Sequence, residues 1–595
     1  MLRRRGVKGR EEKLTEVINR YKGHALSLTS LAGYLNRYYD GDINQAPEVE
    51  FVLSDGERFK DVNKLLRKYA EKMSASERIF LNIFSLFRQE VTENYFAGVF
   101  RHKPFFQKES FTKEKLFNDV LVKMSELDFR DMINGLVDWR LISYDETKKT
   151  YATHPLIKGY FESDFEEKNK KLCHKHIYQY FGEYAPEWLG TLEKMQPLFE
   201  QVYHGCAAGL YDEVCAYVYW ARIRKRDVHF ITHILGAWET DLSLAKTFFP
   251  EGDFSQMPLV SKKNAKAWLL AVAGLALLNT GRPKEAEQSF VRHINMNIKD
   301  KDWKHASVGY VNLVDLQFRT GALESGLESA KKALDAAKKA QFDTIIVNSK
   351  AYLAWIFHLL GRSEEAKEWF KDADELEGKI SGYRLYSWNG VFYTDFLLSM
   401  KRLDEASELV RQNLEISHGY NWPDVISRCH RLLGAIERIK GNHNEAEIHR
   451  QNALEIARKV GMPALEIEAL LESSRLYLDM GKHEDAIRDA KEALKICVRT
   501  GFKLYEPKAE IVLSKAYMAL NDIEQAKSFA QWAYEKAVTM NYRWAEGDVA
   551  HLLGEIHLKE GDKMEASEWL EKAVACRQEI LDPEVEESET ILEGL

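Results

Sequence analysis

A short pattern recurs eight times at an interval of 40 residues, and no other feature of the 595-residue chain limits its fold as tightly. The copies are "GRPKEA" at Gly281, "GALESG" at Gly321, "GRSEEA" at Gly361, "KRLDEA" at Lys401, "GNHNEA" at Gly441, "GKHEDA" at Gly481, "NDIEQA" at Asn521 and "GDKMEA" at Gly561. Each predicts the turn of a helical hairpin. Glycine, or Asn521, ends one helix where positive φ is needed. The acidic residues open the next helix and complement its dipole. Lys401 lacks the conformational ease of glycine and marks the weakest copy. A small residue follows five places on (Ala286, Gly326, Ala366, Ala406, Ala446, Ala486, Ala526, Ala566), which lets two helices approach closely. A second falls at twelve places in Ala333, Ala373, Ala453, Ala493, Ala533 and Ala573. His293 and Asn413 interrupt that second series, which predicts looser packing at those joints. Caps followed by an apolar residue close most copies, as "QF" at Gln341, "NW" at Asn421, "GM" at Gly461, "GF" at Gly501 and "NY" at Asn541. A hairpin of this kind cannot bury its apolar face alone, so neighbours are expected to stack into a curved solenoid.

Helix, tight turn, helix and cap, with small residues at these offsets, resemble tetratricopeptide repeats over about residues 260 to 580. Their usual period is roughly 34 residues, so these copies belong with a longer-helix variety. The resemblance implies a mainly α fold with a right-handed α-solenoid of tetratricopeptide-like repeats, and a concave face built from the first helix of each hairpin. Carried over copy by copy, the partner-facing positions are Asn348, Trp355 and His358, then Trp388 and Asp395, then Arg428, Arg431 and Arg438, then Arg475, then Lys508 and Lys515. The middle of that face is aromatic and its C-terminal part basic. Arginine recognises carboxylates bidentately, so the expected guest is a protein or peptide that is acidic or ends in a free carboxylate. The same charges also suit an ordinary solvated helix face. After the last repeat, "LDPEVEESETILEGL" is acidic and free of basic residues. It reads as a disordered solubilising tail, or as a segment that folds back on the basic stripe and competes with a partner.

Ahead of the repeats the pattern changes. "MSASERIFLNIFSLF" starts a helix with Ser74 and Glu77 at capping-box spacing. "TENYFAGVF" and "FRDMINGLVDW" predict two more helices, and "LISYDETKKTYATH" predicts a β-hairpin before the helix of "HPLIKGYF". Three helices and a hairpin are the order of a winged-helix domain. Upstream, "GHALSLTSLAGYL" from Gly23 carries apolar residues at helical spacing. Together these segments resemble the signal-transduction ATPases with numerous domains (STAND) of the NB-ARC type. In that family a helical subdomain with a "G-x-P-L-A-L" motif follows the nucleotide core, and a histidine at the end of the winged helix senses the bound phosphate. The resemblance places Gly23 and Ala25 at the first motif, with Ala25 where proline is usual, and His154 at the second, as vestigial nucleotide-sensor positions. "YHGCAAGLYDEV", "LGAWETDLSLAKTFF" and "KAWLLAVAGLALLNTGRPKEAE" resemble the bridge into the repeats of bacterial tetratricopeptide ATPases. No G-x-x-x-x-G-K-[ST] loop occurs to cradle a triphosphate, and only 22 residues precede Gly23. The chain is therefore expected to correspond to the C-terminal part of such an ATPase without its nucleotide-binding core. The domain plan is a helical stub at 1–72, a winged helix at 73–165, a helical bridge at 166–258, eight repeats at 259–580 and the acidic tail at 581–595. Leu26 to Leu35 are expected to bury against the winged helix.

A formal net charge of −8 leaves no global basic field for nucleic acid. The third helix, "FRDMINGLVDW", is acidic and apolar, unlike a recognition helix. Six scattered cysteines suit a reducing compartment, and no run approaches the roughly 18 apolar residues of a membrane span, so a cytoplasmic location is expected. His204 beside Cys206 reads as packing, Cys173, His174 and His176 as a partly exposed helix, and Arg222 to Asp227 as a solvated helix end. No catalytic residue, metal ligand or cofactor is assigned, and the chain is not expected to be an enzyme. The expected function is a protein–protein interaction scaffold or sensor, in bacterial signalling or defence. The alternatives are the regulatory half of a split or truncated STAND ATPase, and a winged-helix transcription regulator.

Overall fold

A computed structural model describes residues 1–21, 23, 25–47, 60–101, 118–184 and 190–595. The chain folds as two compact units, Met1–Leu210 and Tyr211–Leu595. The bridge expected at 166–258 is thus divided between them.

In the N-terminal unit, helix Ala25–Tyr39 buries Leu28, Leu31 and Leu35 in one core with Phe80, Phe96, Leu136 and Ile157. The three- and four-residue spacing of the leucines puts them on a single face. The Leu26 side chain lies outside the described residues. At Gly33 the backbones come so close that a Cβ would lie 2.4 Å from the Trp139 carbonyl oxygen. Arg37 then stacks 3.2 Å from the Trp139 ring centroid and pairs with Glu77 at 2.7 Å. Glu77 also completes the capping box with Ser74 at the start of helix Ala75–Ser85. Strand β1 (Val91–Thr92), helical turns through Phe100, helix Glu126–Asp138, β2 (Ser143–Asp145) and β3 (Thr150–Ala152) follow. The antiparallel sheet has the order β1-β3-β2, with Tyr151 opposite both Val91 and Tyr144. Part of the expected winged helix, residues 102–117, lies outside the described residues. Helix Pro155–Asp164 starts at His154, whose Nδ1 accepts the Leu156 N–H at 3.2 Å.

The second unit is a tetratricopeptide-type solenoid of eight hairpins. Hairpin 1 pairs Lys263–Asn279 with Pro283–Lys299, hairpin 2 Trp303–Arg319 with Leu323–Lys339, hairpin 3 Asp343–Leu359 with Ser363–Ser381, and hairpin 4 Ser387–Ser399 with Leu403–Tyr420. Hairpin 5 pairs Pro423–Ile439 with His443–Val460, hairpin 6 Pro463–Asp479 with His483–Thr500, hairpin 7 Glu506–Ala519 with Ile523–Met540, and hairpin 8 Arg543–Glu560 with Lys563–Ile580. All eight turn residues have positive φ, including Asn521 at 64° and Lys401 at 54°. The weakest copy therefore keeps the same cap, with Arg402 N–H donating to the Leu397 carbonyl at 2.9 Å, as Arg282 donates to Leu277 at 2.8 Å. The alanines at the five- and twelve-residue offsets are 0–1% exposed.

The two interruptions of that series do not loosen their joints, contrary to the expectation from size. The His293 ring nitrogens reach the Ala267 carbonyl at 2.7 Å and the His305 carbonyl at 3.0 Å. Asn413 accepts from the Ser387 N–H at 2.7 Å and donates to the Ser387 carbonyl at 3.0 Å. Helix Ser387–Ser399 is only 13 residues long where its counterparts have 14 to 18, and Asn413 satisfies backbone groups at its start.

Successive turns of the superhelix touch. Ser363 Oγ donates to the Ile580 carbonyl at 2.5 Å and Asn541 donates to Glu324 at 3.1 Å, each across 217 residues, between five and six repeats. A Cβ at Gly361 would lie 2.5 Å from Ile580 and 2.8 Å from Arg543, and one at Gly321 would lie 2.2 Å from Met540. One buried apolar cluster accordingly joins residues of hairpins 2 to 5 with Leu504, Met540, Trp544 and Ile580. Helix Val585–Glu593 covers the last hairpin. Its Ser588 meets His551 at 2.9 Å and Arg577 at 3.0 Å, Glu589 accepts from Gln578 at 2.8 Å, and Glu584 faces Lys401 at 3.7 Å. The acidic tail is thus an ordered capping helix, and these partners are not residues of the predicted basic stripe. A terminal hairpin has no further neighbour to cover its apolar face, and the tail takes that place.

Candidate functional site

The first helices of hairpins 2 to 6, together with residues 504–508 of hairpin 7, converge on one cavity of about 70 Å³. Its apolar wall is Phe318, Val391, Phe392, Leu471 and Leu504, with Trp355 and Tyr505 beside them. Its charged wall holds Asp395, Arg428, Arg431, Glu468, Glu472, Arg475 and Lys508. The predicted partner-facing residues fall into three groups around this space.

The arginines are paired across neighbouring repeats. Arg431 meets Asp395 at 2.6 Å, Arg428 meets Glu468 at 2.8 Å, and Arg438 meets Glu472 at 2.7 Å and Asp479 at 2.9 Å. Arg475 lies 3.6 Å from Glu472. Burial works against the Asp395 carboxylate, yet Arg431 and then Lys508 hold its pKa below the usual range. Arg428 also stacks 3.7 Å from the Trp388 centroid, while Trp388 Nε1 donates to Asp424 at 3.1 Å. Asn348 accepts from Asn389 at 2.6 Å.

The aromatic group is buried. Trp355 and His358 are 6% and 5% exposed. The His358 ring lies 5.4 Å from Trp355 and 4.7 Å from Trp544, which arrives from hairpin 8. Burial, then the nearby Lys508 charge, pushes the His358 pKa down to about 3.

Two lysines remain. Lys515 is exposed. Lys508 is half-buried at the cavity, 5.6 Å from the Tyr542 ring centroid, and no ion pair or hydrogen bond joins it to another described residue. Burial and the neighbouring Arg475 push its pKa down to about 8. Sequence reasoning overlooked Glu468 and Glu472, which neutralise the stripe. The available signal was opposite charge about one repeat away, as in Arg428 and Glu468, 40 residues apart.

In the N-terminal unit, Gly23 and Ala25 are exposed, and His154 is exposed at its helix start. No described contact joins them. A hollow of about 560 Å³ beside helix Ala25–Tyr39 is lined by Arg4, Arg5, Asn36 and Arg140 among others, and none of the three predicted positions lines it. The other candidate residues are placed differently from expectation. Cys173 and His174 are buried rather than partly exposed, and His174 Nδ1 lies 2.8 Å from His204 Nδ1. Burial pushes the Cys173 thiol well above its ordinary pKa, which disfavours a thiolate. Arg224, expected at a solvated helix end, is buried and meets Asp241 at 2.5 Å, with Tyr219 donating to the same carboxylate at 2.8 Å. Asp548, Asp582 and Glu584 converge, but on Arg577, at 3.2 to 3.6 Å.

Comparison with known proteins agrees with this fold. Tetratricopeptide-repeat family models match residues 426–497 and 352–379. No curated protein matches the sequence. Among solved structures, the chain is similar to a STAND protein with a tetratricopeptide repeat sensor from Pyrococcus horikoshii, at 13% identity and TM-score 0.40, over 98% of this chain and 72% of that one. It is also similar to a Rap protein complexed with competence and sporulation factor, at 12% identity and TM-score 0.33, over 71% and 94%. A tetratricopeptide repeat protein from Parabacteroides merdae matches at 16% identity and TM-score 0.22, over 55% and 97%. Scores this low carry no argument about mechanism. The repeat unit rests on its own geometry and on the family models: it is a tetratricopeptide-type helical solenoid. No helix among the described residues is long and apolar enough to cross a membrane.

Proposed function

We propose that the protein is a non-enzymatic scaffold or sensor that binds a protein or peptide through the interior of its repeat unit, in a bacterial signalling or defence system. The observation that carries this reading is the convergence of six hairpins on one charged and aromatic cavity. A guest there touches most of the solenoid at once, so binding is coupled to how the repeats pack, and the adaptable contacts lie at Arg475 and Lys508, with the exposed Lys515 further along the helix of Lys508. Partner capture by the full chain, followed by mass spectrometry, tests it. Proteins retained by the native chain should be lost from an Arg475→Glu, Lys515→Glu double variant and displaced by an acidic peptide. Retention that the double variant leaves unchanged contradicts the interior as the binding surface.

A second reading, the regulatory part of a STAND-type ATPase acting with a separate nucleotide core, is supported by His154. This exposed imidazole caps helix Pro155–Asp164, where free N–H groups and the helix dipole favour a phosphate. Among the described residues of 73–165, helical segments ahead of and behind a three-stranded antiparallel sheet support a winged helix in that setting. Calorimetry with ADP, in the presence of a co-purified ATPase, should give binding that His154→Ala removes. Equal heats with the variant would overturn this second reading.

A further inference from the structure

In the N-terminal unit, Arg4, Arg5 and Arg140 line the hollow of about 560 Å³ together with a single carboxylate, Asp138. No side-chain ion pair or hydrogen bond joins any of the four to another described residue. Three guanidinium groups against one carboxylate leave two positive charges uncompensated. Arg3, in the same basic run, is engaged instead, with Glu11 at 2.8 Å and the Gly9 carbonyl at 3.2 Å.

The run is not a loose basic end. Leu2 and Val7 flank it and are 2% and 3% exposed. The Lys8 N–H donates to the Gly41 carbonyl at 2.7 Å, and the Lys8 carbonyl accepts from the Ile43 N–H at 3.0 Å. The Asn36 amide, also on the hollow, donates to the Arg5 carbonyl at 2.5 Å. Arg140 comes from a different element, directly after helix Glu126–Asp138, where its N–H donates to the Val137 carbonyl at 2.9 Å. Two separately anchored backbones thus bring their guanidinium groups to one space, so a ligand has little more than side chains to order.

The chemistry of the walls limits the ligand. Guanidinium forks match phosphate and carboxylate oxygens. A phosphate carries nearly two charges on three oxygens at neutral pH, so each can serve more than one guanidinium, which a carboxylate does less well. The volume falls within the roughly 300–1,000 Å³ of small-molecule sites. A base has nothing to stack on. No aromatic side chain lines the hollow, and the Trp139 ring, between Asp138 and Arg140 in sequence, is already covered by Arg37 at 3.2 Å.

We propose that this hollow binds a small base-free molecule carrying two phosphate groups, held by Arg4, Arg5 and Arg140. The site is separate from the repeat interior and from Gly23, Ala25 and His154, none of which lines it. Two sources share the chemistry, inorganic pyrophosphate and a sugar bisphosphate, whose hydroxyls Asp138 would accept from.

The test is calorimetry on the full chain at constant ionic strength, with thermal melting in parallel, and four probes: pyrophosphate, fructose bisphosphate, ADP and citrate. Pyrophosphate or fructose bisphosphate should bind and raise the melting temperature, and the tighter of the two identifies the source. Citrate should bind about tenfold more weakly or less. An Arg4→Ala, Arg140→Ala double variant should weaken phosphate binding about tenfold or more, and Arg4→Lys, Arg140→Lys by a smaller factor, because the charge stays and the fork is lost. A charge-matched Lys284→Ala, Lys332→Ala variant, at exposed positions of the repeat unit, should leave it unchanged. The alanines at 4 and 140 remove no described partner and relieve like charge, so that variant should melt at or above the native temperature, and lost binding then reports the site. Failure of both phosphate probes, citrate bound as tightly, or equal losses in the two alanine variants overturns the proposal. ADP bound more tightly than pyrophosphate, and lost with Arg4 and Arg140, overturns it as well by assigning the hollow to a nucleotide.

Discussion

His174 and His204 face each other in the N-terminal unit through their Nδ1 atoms, so at least the ring that accepts must be neutral. Burial, and then the facing His204, push the His174 pKa down to about 2, from an ordinary value of 6.5. Burial also lowers His204, although Glu200 on the same helix pulls it upward, and Lys170, Arg88 and Lys158 add positive charge nearby. The unfolded chain therefore takes up protons below about pH 6.5 that the folded unit refuses, so stability is full above that pH and is lost as pH falls. Each such histidine contributes up to about 1.4 kcal/mol per pH unit. Hydrogen exchange over helices Glu167–Tyr184 and Gln196–Ala207, corrected for its intrinsic pH dependence, should show openings that become easier from pH 7 to pH 5. His174→Gln should flatten that dependence, and an unchanged slope would contradict the neutral pair. These residues were visible in the sequence as types and not as neighbours. Thirty residues separate them, and no helical period relates positions on two different helices. The same limit hid the arginine partners Glu468 and Glu472 and the burial of Arg224, because solvent exposure is decided by the neighbouring helix.

At the scale of elements, the repeat was legible because its punctuation answers to local physics. Positive φ at the turn, acidic residues at the next helix start and alanine at close crossings all depend on a few consecutive residues. The spacing of Leu28, Leu31 and Leu35 likewise determined their buried face. What size alone predicted incorrectly was the fourth hairpin. Asn413 stands where six other copies carry alanine, yet both of its polar atoms serve the Ser387 backbone. Restoring the consensus with Asn413→Ala should destabilise the repeat unit by about 1–3 kcal/mol, because two buried backbone groups lose their partner. Chemical denaturation measures this directly. A neutral or stabilising result would mean that the shortened helix Ser387–Ser399 does not need that cap. The acidic tail was misread for a related reason. Composition describes its charge, while its helix forms against His551 and Arg577 of the last hairpin.

At the scale of the repeat unit, contact between successive turns narrows an expected groove into a small, charged interior that stays open at one side. Two glycines separate this contact from ordinary turn geometry. Gly361 and Gly441 have nearly the same φ, 76° and 79°, but a Cβ at Gly361 would strike Ile580 and Arg543, while one at Gly441 meets nothing within 4 Å. Gly441→Ala should therefore cost about 1 kcal/mol of backbone strain. Gly361→Ala should cost about 1–3 kcal/mol more, from overpacking between turns. Equal losses in thermal or denaturant unfolding would argue that the turns are not in contact. The most direct measurement of this contact between turns is a spin-label distance between hairpins 3 and 8. All six native cysteines are buried, so labels at exposed Lys367→Cys and Glu579→Cys report selectively. The account predicts one narrow, short distance in the full chain. A long, broad distribution would contradict it, because Ser363 and Ile580 could not then share a hydrogen bond and the interior cavity would not exist.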